Sequence, residues 1–266
     1  MNRIDETFKK LHELKHKAFI SYISAGDPNL DVTLRIMKSL SDLKVDIIEL
    51  GVPFSDPIGD GPVNQGGAQR GIASHTTLLK ILEMVKIFRK NYQTPIVLFS
   101  YMNPIVQIGY STFAEIAHKA GIDAVLTVDS PFDMNTELEK YLSVNDIYPI
   151  YLASPTTAND RLSIISKKTK GFLYYISSLG VTGERTSFSK NLKSRIKEIK
   201  SHTQTPVCVG FGISKPEQAK EISKYADGII IGSAFVKIIA ENLKNENKIV
   251  DDISKFAKSI INAIKN

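Results

Sequence analysis

Short runs of apolar and β-branched residues recur along the chain at intervals of roughly 25 to 30 residues, and stretches with helical spacing of apolar positions separate them. This pattern predicts eight strands, near residues 18–24, 46–51, 95–101, 124–128, 147–153, 171–176, 206–210 and 228–231. It predicts amphipathic helices near residues 4–14, 30–43, 78–92, 113–120, 136–142, 159–169, 190–201, 216–225, 235–243 and 249–264. A further short helix is expected within residues 61–74, in an enlarged loop after the second strand.

The strands are almost continuously apolar, which is typical of a parallel sheet whose faces are both covered. Eight strand–helix units in 266 residues favour a closed (β/α)8 TIM barrel over an open sheet. No interior stretch has the composition of a linker, so residues 1–266 are predicted to form one barrel domain. We expect an N-terminal helix and extra helices in the loops of the active face.

Composition narrows the classes of function. Hydrophobic residues make up 42% of the chain and charged residues 23%, an ordinary globular balance. The net charge is +6, but the lysines are scattered among Asp and Glu and no block of five or six like charges occurs, so nucleic acid is not an expected partner. Cys208 is the single cysteine, which excludes an internal disulfide and fits a reducing compartment. With no signal peptide and no apolar run of membrane-spanning length, we expect a cytoplasmic protein without membrane contact.

Two acidic residues lie where the active site of a barrel is expected. Glu49 lies within the second predicted strand and Asp60 in the Pro/Gly-rich loop that follows it. Charged residues are almost never fully buried unless they are paired or functional, and barrel active sites lie at the carboxyl ends of the strands. Two carboxylates in different environments can divide the work, one carrying a proton and the other staying ionised. Asp56 lies in the same loop. Its simpler interpretation is structural: its carboxylate caps backbone amides of the loop. The five histidines show no ligand spacing, so no metal site is expected.

Small-residue loops follow the last three predicted strands. They span residues 180–183, 210–214 and 231–234, and the last one opens a helix. Glycines let backbone N–H groups approach a phosphate, and a helix N-terminus adds free donors. Together these loops predict a phosphate site. The polar loop over residues 180–190 is interpreted as a lid over the substrate or as an ordinary exposed loop.

The signature of the tryptophan synthase alpha chain family strongly resembles residues 46–62, DIIELGVPFSDPIGDGP. The resemblance continues in order through residues 24–28, 100–104, 180–183, 210–213 and 232–234. It implies a (β/α)8 barrel lyase that cleaves indole-3-glycerol phosphate to indole and glyceraldehyde 3-phosphate and holds no cofactor of its own.

The resemblance also implies roles for individual residues. Glu49 resembles the general acid/base, and Asp60 the carboxylate that binds the indole N–H. The glycines Gly183, Gly212 and Gly232 and the hydroxyl residue Ser233 resemble phosphate-binding residues. Further substrate-binding residues implied by position are Tyr22, Tyr101, Tyr174 and Thr182.

A partner is implied as well. Alpha chains of this family pass indole to a beta chain that carries pyridoxal phosphate, and the implied assembly is an α2β2 heterotetramer. The implied interface residues are Pro53, Asp56, Asn103, Pro104, Asp129 and Pro131.

The chain departs from the family pattern at a few positions. Tyr22 stands where phenylalanine is usual, so its added hydroxyl needs a partner. Gly59 stands where alanine is common, and residues 64–67 and 154–156 also differ. Three other functions are considered: a stand-alone lyase, a catalytically weak barrel that activates the beta chain, and another phosphate-binding barrel enzyme such as a sugar-phosphate isomerase. The pair of Glu49 and Asp60 with an apolar pocket argues against the isomerase.

Overall fold

The computed structural model describes residues 1–130, 136–177, 185–210 and 212–265, and for residues 185–191 only the backbone is described. Its strands are β1 (Ala18–Ser24), β2 (Ile47–Gly51), β3 (Ile96–Ser100), β4 (Ala124–Thr127), β5 (Tyr148–Ile150), β6 (Leu152–Ala153), β7 (Leu173–Ile176), β8 (Val207–Gly210) and β9 (Gly228–Ile231). Its helices are α1 (Arg3–Glu13), α2 (Leu30–Asp42), α3 (Pro62–Ala73), α4 (Leu78–Arg89), α5 (Met102–Ile108), α6 (Tyr110–Ala120), α7 (Thr136–Val144), α8 (Asn159–Lys168), α9 (Arg185–His202), α10 (Pro216–Ser223), α11 (Ser233–Glu241) and α12 (Glu246–Lys265).

The strands form one parallel sheet in the order β5-β4-β3-β2-β1-β9-β8-β7-β6. Its two outer strands, β5 and β6, are separated in sequence by Tyr151 alone, so the sheet closes on itself as a barrel. The predicted (β/α)8 barrel is therefore confirmed. The fifth predicted strand, over residues 147–153, is divided into two short strands on either side of Tyr151, whose backbone C=O still accepts from the N–H of Tyr174 on β7 at 3.1 Å. The Tyr151 hydroxyl donates a hydrogen bond to Glu139 of α7.

Strand residues alternate between the inside of the barrel and the layer beneath the helices, because successive side chains of a strand point to opposite faces. The inner cluster includes Ile20, Ile47, Val97, Cys208 and Ile230, and the outer cluster packs the other face of each strand against the helices. Cys208 is buried in the barrel, as expected of a small hydrophobic residue.

The N-terminal helix α1 covers the end of the barrel where the strands begin. Ile4 and Leu11 of α1 are buried in the inner cluster, and the ring of Phe8 lies 6.1 Å from that of Phe172. The hydroxyl of Tyr148 on β5 donates to the Asp5 carboxylate at 2.5 Å. The base is therefore filled, and the opposite end is left for a site.

Helix α3, expected within residues 61–74, begins at Pro62, a residue favoured in the first turn of a helix. An ion pair anchors it to the loop after β1, because Arg70 donates two hydrogen bonds to the buried Asp27 carboxylate, at 2.7 and 2.8 Å. Close packing adds to this: a Cβ on Gly71 would lie 2.6 Å from Pro53 Cγ.

Helix α5 lies in the loop after β3 and is one of the extra helices expected in the loops of the active face, although its position was not predicted. One feature of the helical layer differs from the prediction. Helix α9 begins at Arg185, five residues before the predicted start at 190.

None of the helices in the described ranges is long and apolar enough to cross a membrane. Nor do the described side chains include a group of three or more His, Cys, Asp or Glu that could hold a metal ion.

Candidate active site

Glu49 lies on the inner face of β2, two residues before the strand ends. Its backbone partners are Tyr22 on β1 and Val97 on β3. The side chain is fully buried, and within the described residues neither carboxylate oxygen has a hydrogen-bond partner. Burial raises the pKa of Glu49 from 4.5 to about 8, because desolvation penalises the charged form. Glu49 is therefore mostly protonated at neutral pH and can act as an acid.

Asp60 lies in the loop between β2 and α3, and Tyr101 holds it. The Tyr101 hydroxyl donates to Asp60 Oδ2 at 2.9 Å and accepts from the backbone N–H of Gly59 at 3.0 Å. Burial raises the pKa of Asp60, and the side chains of Tyr101 and Asn64 oppose this rise. The second acid is therefore supplied with polar contacts that favour its ionised form.

The tyrosine at position 101 also carries an apolar contact. The ring of Phe54 stacks on that of Tyr101, with centroids 5.0 Å apart. Tyr101 therefore fixes two parts of the loop after β2, the ring of Phe54 and the backbone at Gly59. Gly59, where alanine is common in the family that the sequence resembles, is closely packed, because a Cβ there would lie only 2.7 Å from Val128 Cγ1.

Tyr22 and Tyr174 occupy the upper part of the barrel interior. The Tyr22 ring packs edge-on against Phe99, with centroids 5.2 Å apart. A Cβ on Gly51 would lie 2.3 Å from the Tyr22 hydroxyl, and a Cβ on Gly210 would lie 2.5 Å from that of Tyr174. Both strand ends therefore need glycine, because a tyrosine side chain passes over each of them. Sequence analysis missed this requirement, since each glycine is far from its tyrosine in the chain.

The described part of the predicted phosphate site lies at the ends of β8 and β9, which are paired neighbours. Gly212 has a φ of +68°, a conformation that favours glycine. Gly232 is the N-cap of α11 and Ser233 its first residue, so the free N–H groups and positive dipole end of α11 face the same loops. Thr182 and Gly183 lie outside the described residues.

The predicted interface residues are on the loops beside this mouth. Asp56 is exposed, as are Asn103 in the first turn of α5 and Asp129. Asp129 also has a structural role, because its Oδ1 accepts from the N–H of Met102 at 2.8 Å and caps α5. Pro53 and Pro104 are half-buried, and Pro131 lies outside the described residues. Sequence analysis did not single out Ile58, which is 86% exposed in the same loop as Asp56.

A parallel barrel with a buried acid at its mouth, a second acid beside it and a helix N-terminus on the same rim has the form of a TIM-barrel enzyme that acts on a phosphorylated substrate. The family model described as tryptophan synthase alpha chain matches residues 8–265. The chain belongs to the tryptophan synthase alpha chain family.

Individual relatives agree with this assignment. The chain is 41% identical over 260 residues to the tryptophan synthase alpha chain of Petrotoga mobilis, covering 98% of this chain and 99% of that protein. It is 42% identical over 262 residues to the alpha chain of Neisseria gonorrhoeae, covering 98% of this chain and 100% of that protein. The crystal structure of tryptophan synthase subunit alpha from Legionella pneumophila superposes with a TM-score of 0.93 at 37% identity, covering 99% of this chain and 98% of that one. The predicted enzyme class, a lyase of tryptophan biosynthesis that cleaves indole-3-glycerol phosphate, is confirmed.

Proposed function

We propose that Glu49 is the general acid of this cleavage and that Asp60 is the carboxylate that engages the indole N–H. The observation that carries the assignment is the state of Glu49, which is fully buried at the barrel mouth, without a hydrogen-bond partner among the described residues, and has a pKa raised to about 8. A protonated carboxyl at neutral pH is what the first step requires.

In that step Glu49 transfers its proton to C3 of the indole ring. Positive charge then develops on the ring nitrogen, and the ionised Asp60 stabilises it electrostatically. The bond between C3 and the glycerol side chain breaks, and its electrons return to the ring. The hydroxyl on the departing carbon loses its proton to the Glu49 carboxylate as that carbon becomes an aldehyde. Glu49 is thereby restored, and indole and glyceraldehyde 3-phosphate are formed with no net proton change.

The phosphate of the substrate is proposed to bind at Gly212, Gly232 and Ser233, together with Thr182 and Gly183. The dipole and N–H groups of α11 support this placement. Tyr22, Tyr101 and Tyr174 are proposed to line the remainder of the pocket. Binding energy from the distant phosphate would orient C3 at the Glu49 carboxyl.

A beta chain is the proposed partner, and pyridoxal phosphate is proposed to reside on that chain. We infer that Pro53, Asp56, Asn103, Pro104, Asp129 and Pro131 contact it in an α2β2 heterotetramer. The exposure of Asp56, Asn103 and Asp129 beside the mouth supports this surface. We further propose that residues 1–266 act as one barrel domain in the cytoplasm, which agrees with the buried, unpaired thiol of Cys208.

The test is indole release from indole-3-glycerol phosphate by the purified chain, with and without a tryptophan synthase beta chain. We expect low release that rises many-fold with the partner. Release that is high alone and unchanged by the partner would instead identify a stand-alone lyase, and no release in either condition would leave a barrel that only activates the beta chain.

The residue assignment has its own test. Glu49→Gln keeps the size of the side chain and removes the transferable proton, so we expect kcat to fall by about 10³-fold, within the range typical of lost acid–base catalysis. Beta-chain binding, measured by calorimetry, should be retained. Glu83→Gln on the exposed face of α4 is the matched control and should keep full activity. A fully active Glu49→Gln enzyme would refute the mechanism.

A further inference from the structure

The hydroxyl of Tyr22 has no assigned task, although the charges of Asp60 and Glu49 both act on it. Tyr22 is the direct backbone neighbour of Glu49, and both side chains point into the barrel. Its ring is held on two sides: a Cβ on Gly232 would lie 3.0 Å from Cδ1, and a Cβ on Gly51 would lie 2.3 Å from the hydroxyl oxygen. The phenol therefore spans the mouth from β9 to the end of β2, and its polar end lies beside the strand that carries Glu49.

Glu49 is fully buried, and neither of its carboxylate oxygens has a hydrogen-bond partner among the described residues. Tyr22 is 8% exposed, and its hydroxyl makes no hydrogen bond within the described part of the chain. A buried donor or acceptor without a partner is costly, and the cost grows when the group is charged. Residues two apart on a strand lie roughly 7 Å apart on the same face, so a glutamate side chain at position 49 can reach a hydroxyl that lies over position 51.

Asp60 is the competing acceptor for the Tyr22 hydroxyl, but it already has hydrogen-bond partners. Tyr101 donates to it at 2.9 Å, and the Asn64 side chain also favours its ionised form. The other titratable groups whose charges couple to Glu49 are Tyr174 on β7 and Cys208 on β8. Burial raises the pKa of Tyr22, and the charges of Asp60 and Glu49 raise it further, so the phenol keeps its proton throughout the working pH range.

We propose that Tyr22 is a positioning residue for Glu49, whose hydroxyl donates a hydrogen bond to the Glu49 carboxylate during the part of the cycle in which Glu49 has given up its proton. The proposal rests on the acid role given to Glu49 above. No proton leaves Tyr22, because the hydroxyl stabilises the charge without joining the transfer.

The test is Tyr22→Phe, which removes one oxygen and retains the ring that packs on Phe99. Losing the donor makes Glu49 a weaker acid, so we expect its pKa to rise by about one unit and kcat to fall by about tenfold, with KM unchanged. The basic limb of the kcat–pH profile should move to higher pH by the same amount. Tyr148→Phe is the matched control: it loses a hydrogen bond to Asp5 at the base of the barrel and should leave the profile unchanged.

A second readout does not depend on turnover. The pKa of Glu49 can be titrated directly by carbon-13 NMR of glutamate-labelled protein, with the Glu49 resonance assigned by its loss in Glu49→Gln. An unchanged Glu49 pKa in Tyr22→Phe would overturn the proposal, and so would an effect confined to KM, which would place the hydroxyl on the substrate. If Glu49→Gln stays active, the proposed function fails, yet the NMR titration still decides whether Tyr22 engages Glu49.

Discussion

The two ends of this barrel each bury an acid, and they treat it in opposite ways. At the base, Asp123 is 3% exposed and accepts from Arg3 at 2.8 Å, from Arg89 at 2.7 Å and from the backbone N–H of Ile96 at 2.8 Å. At the mouth, Glu49 is fully buried, and no partner for its oxygens occurs among the described residues. Burial alone therefore does not distinguish a structural acid from the proposed catalytic one. The presence or absence of hydrogen-bond partners for the carboxylate does.

The largest expected effect concerns Glu49 and the pH dependence of stability. An unfolded chain releases the Glu49 proton near pH 4.5, whereas the folded protein holds it up to about pH 8. The folded state therefore binds more protons in this window, and stability falls as pH rises through it. At pH 8 we expect Glu49→Gln to be more stable than the wild type by on the order of 3–5 kcal/mol, and at pH 4 to be nearly equal. Urea unfolding at both pH values measures this, and equal stabilities at pH 8 would contradict it.

The second expected effect concerns the base of the barrel, where removing the acid should lower the stability of the protein. Asp123→Asn removes the carboxylate between two guanidinium groups, of which Arg89 is 9% exposed. Breaking a buried ion pair from one side typically costs about 3–5 kcal/mol, so we expect a loss at the lower end of that range because the amide keeps some hydrogen bonds. The kcat of the folded enzyme should stay close to wild type. A large fall in kcat without a fall in stability would erase the distinction between the two ends.

The smallest expected effect concerns the second acid of the mouth. Tyr101→Phe removes the hydroxyl that joins Gly59 to Asp60, so the pKa of Asp60 should rise further. In the proposed mechanism Asp60 acts in its ionised form, so activity is lost as pH falls through its pKa, and the acid limb of the kcat/KM profile should move to higher pH. We expect a five- to tenfold lower kcat/KM at pH 7, which corresponds to the net worth of about one ordinary hydrogen bond. An unchanged acid limb would show that Tyr101 does not set the charge of Asp60.

Much of the barrel could be predicted because its signals are local. The apolar runs and the helical spacing that separate them appear in adjacent residues, and Glu49 was conspicuous because a charge interrupts such a run. The position of the short helix α5 was not predicted, because the carboxylate that caps its first residue comes from Asp129, 27 residues further along the chain. The division of the fifth strand at Tyr151 was not predicted, because the apolar run over residues 147–153 continues through that position.

The side-chain contacts around the site could not be predicted, because they join residues that are far apart in the sequence. The Tyr101 contact with Asp60 joins residues 41 apart, and the Asp27–Arg70 ion pair joins residues 43 apart. Sequence spacing on one chain contains no record of such pairs unless a family resemblance supplies it. Even then, the resemblance places Tyr101 in the pocket without saying that it holds Asp60.

Helix α1 has a consequence for the order of events in turnover. Because Ile4, Phe8 and Leu11 fill the base, the proposed site places the entry of the substrate and the exit of both products at the mouth. A partner docked on the rim would then contact the departing indole before bulk water does. The residence time of indole would depend on how fast both products leave through the mouth. Product release, as well as proton transfer, is then a step at which a beta chain could control the rate.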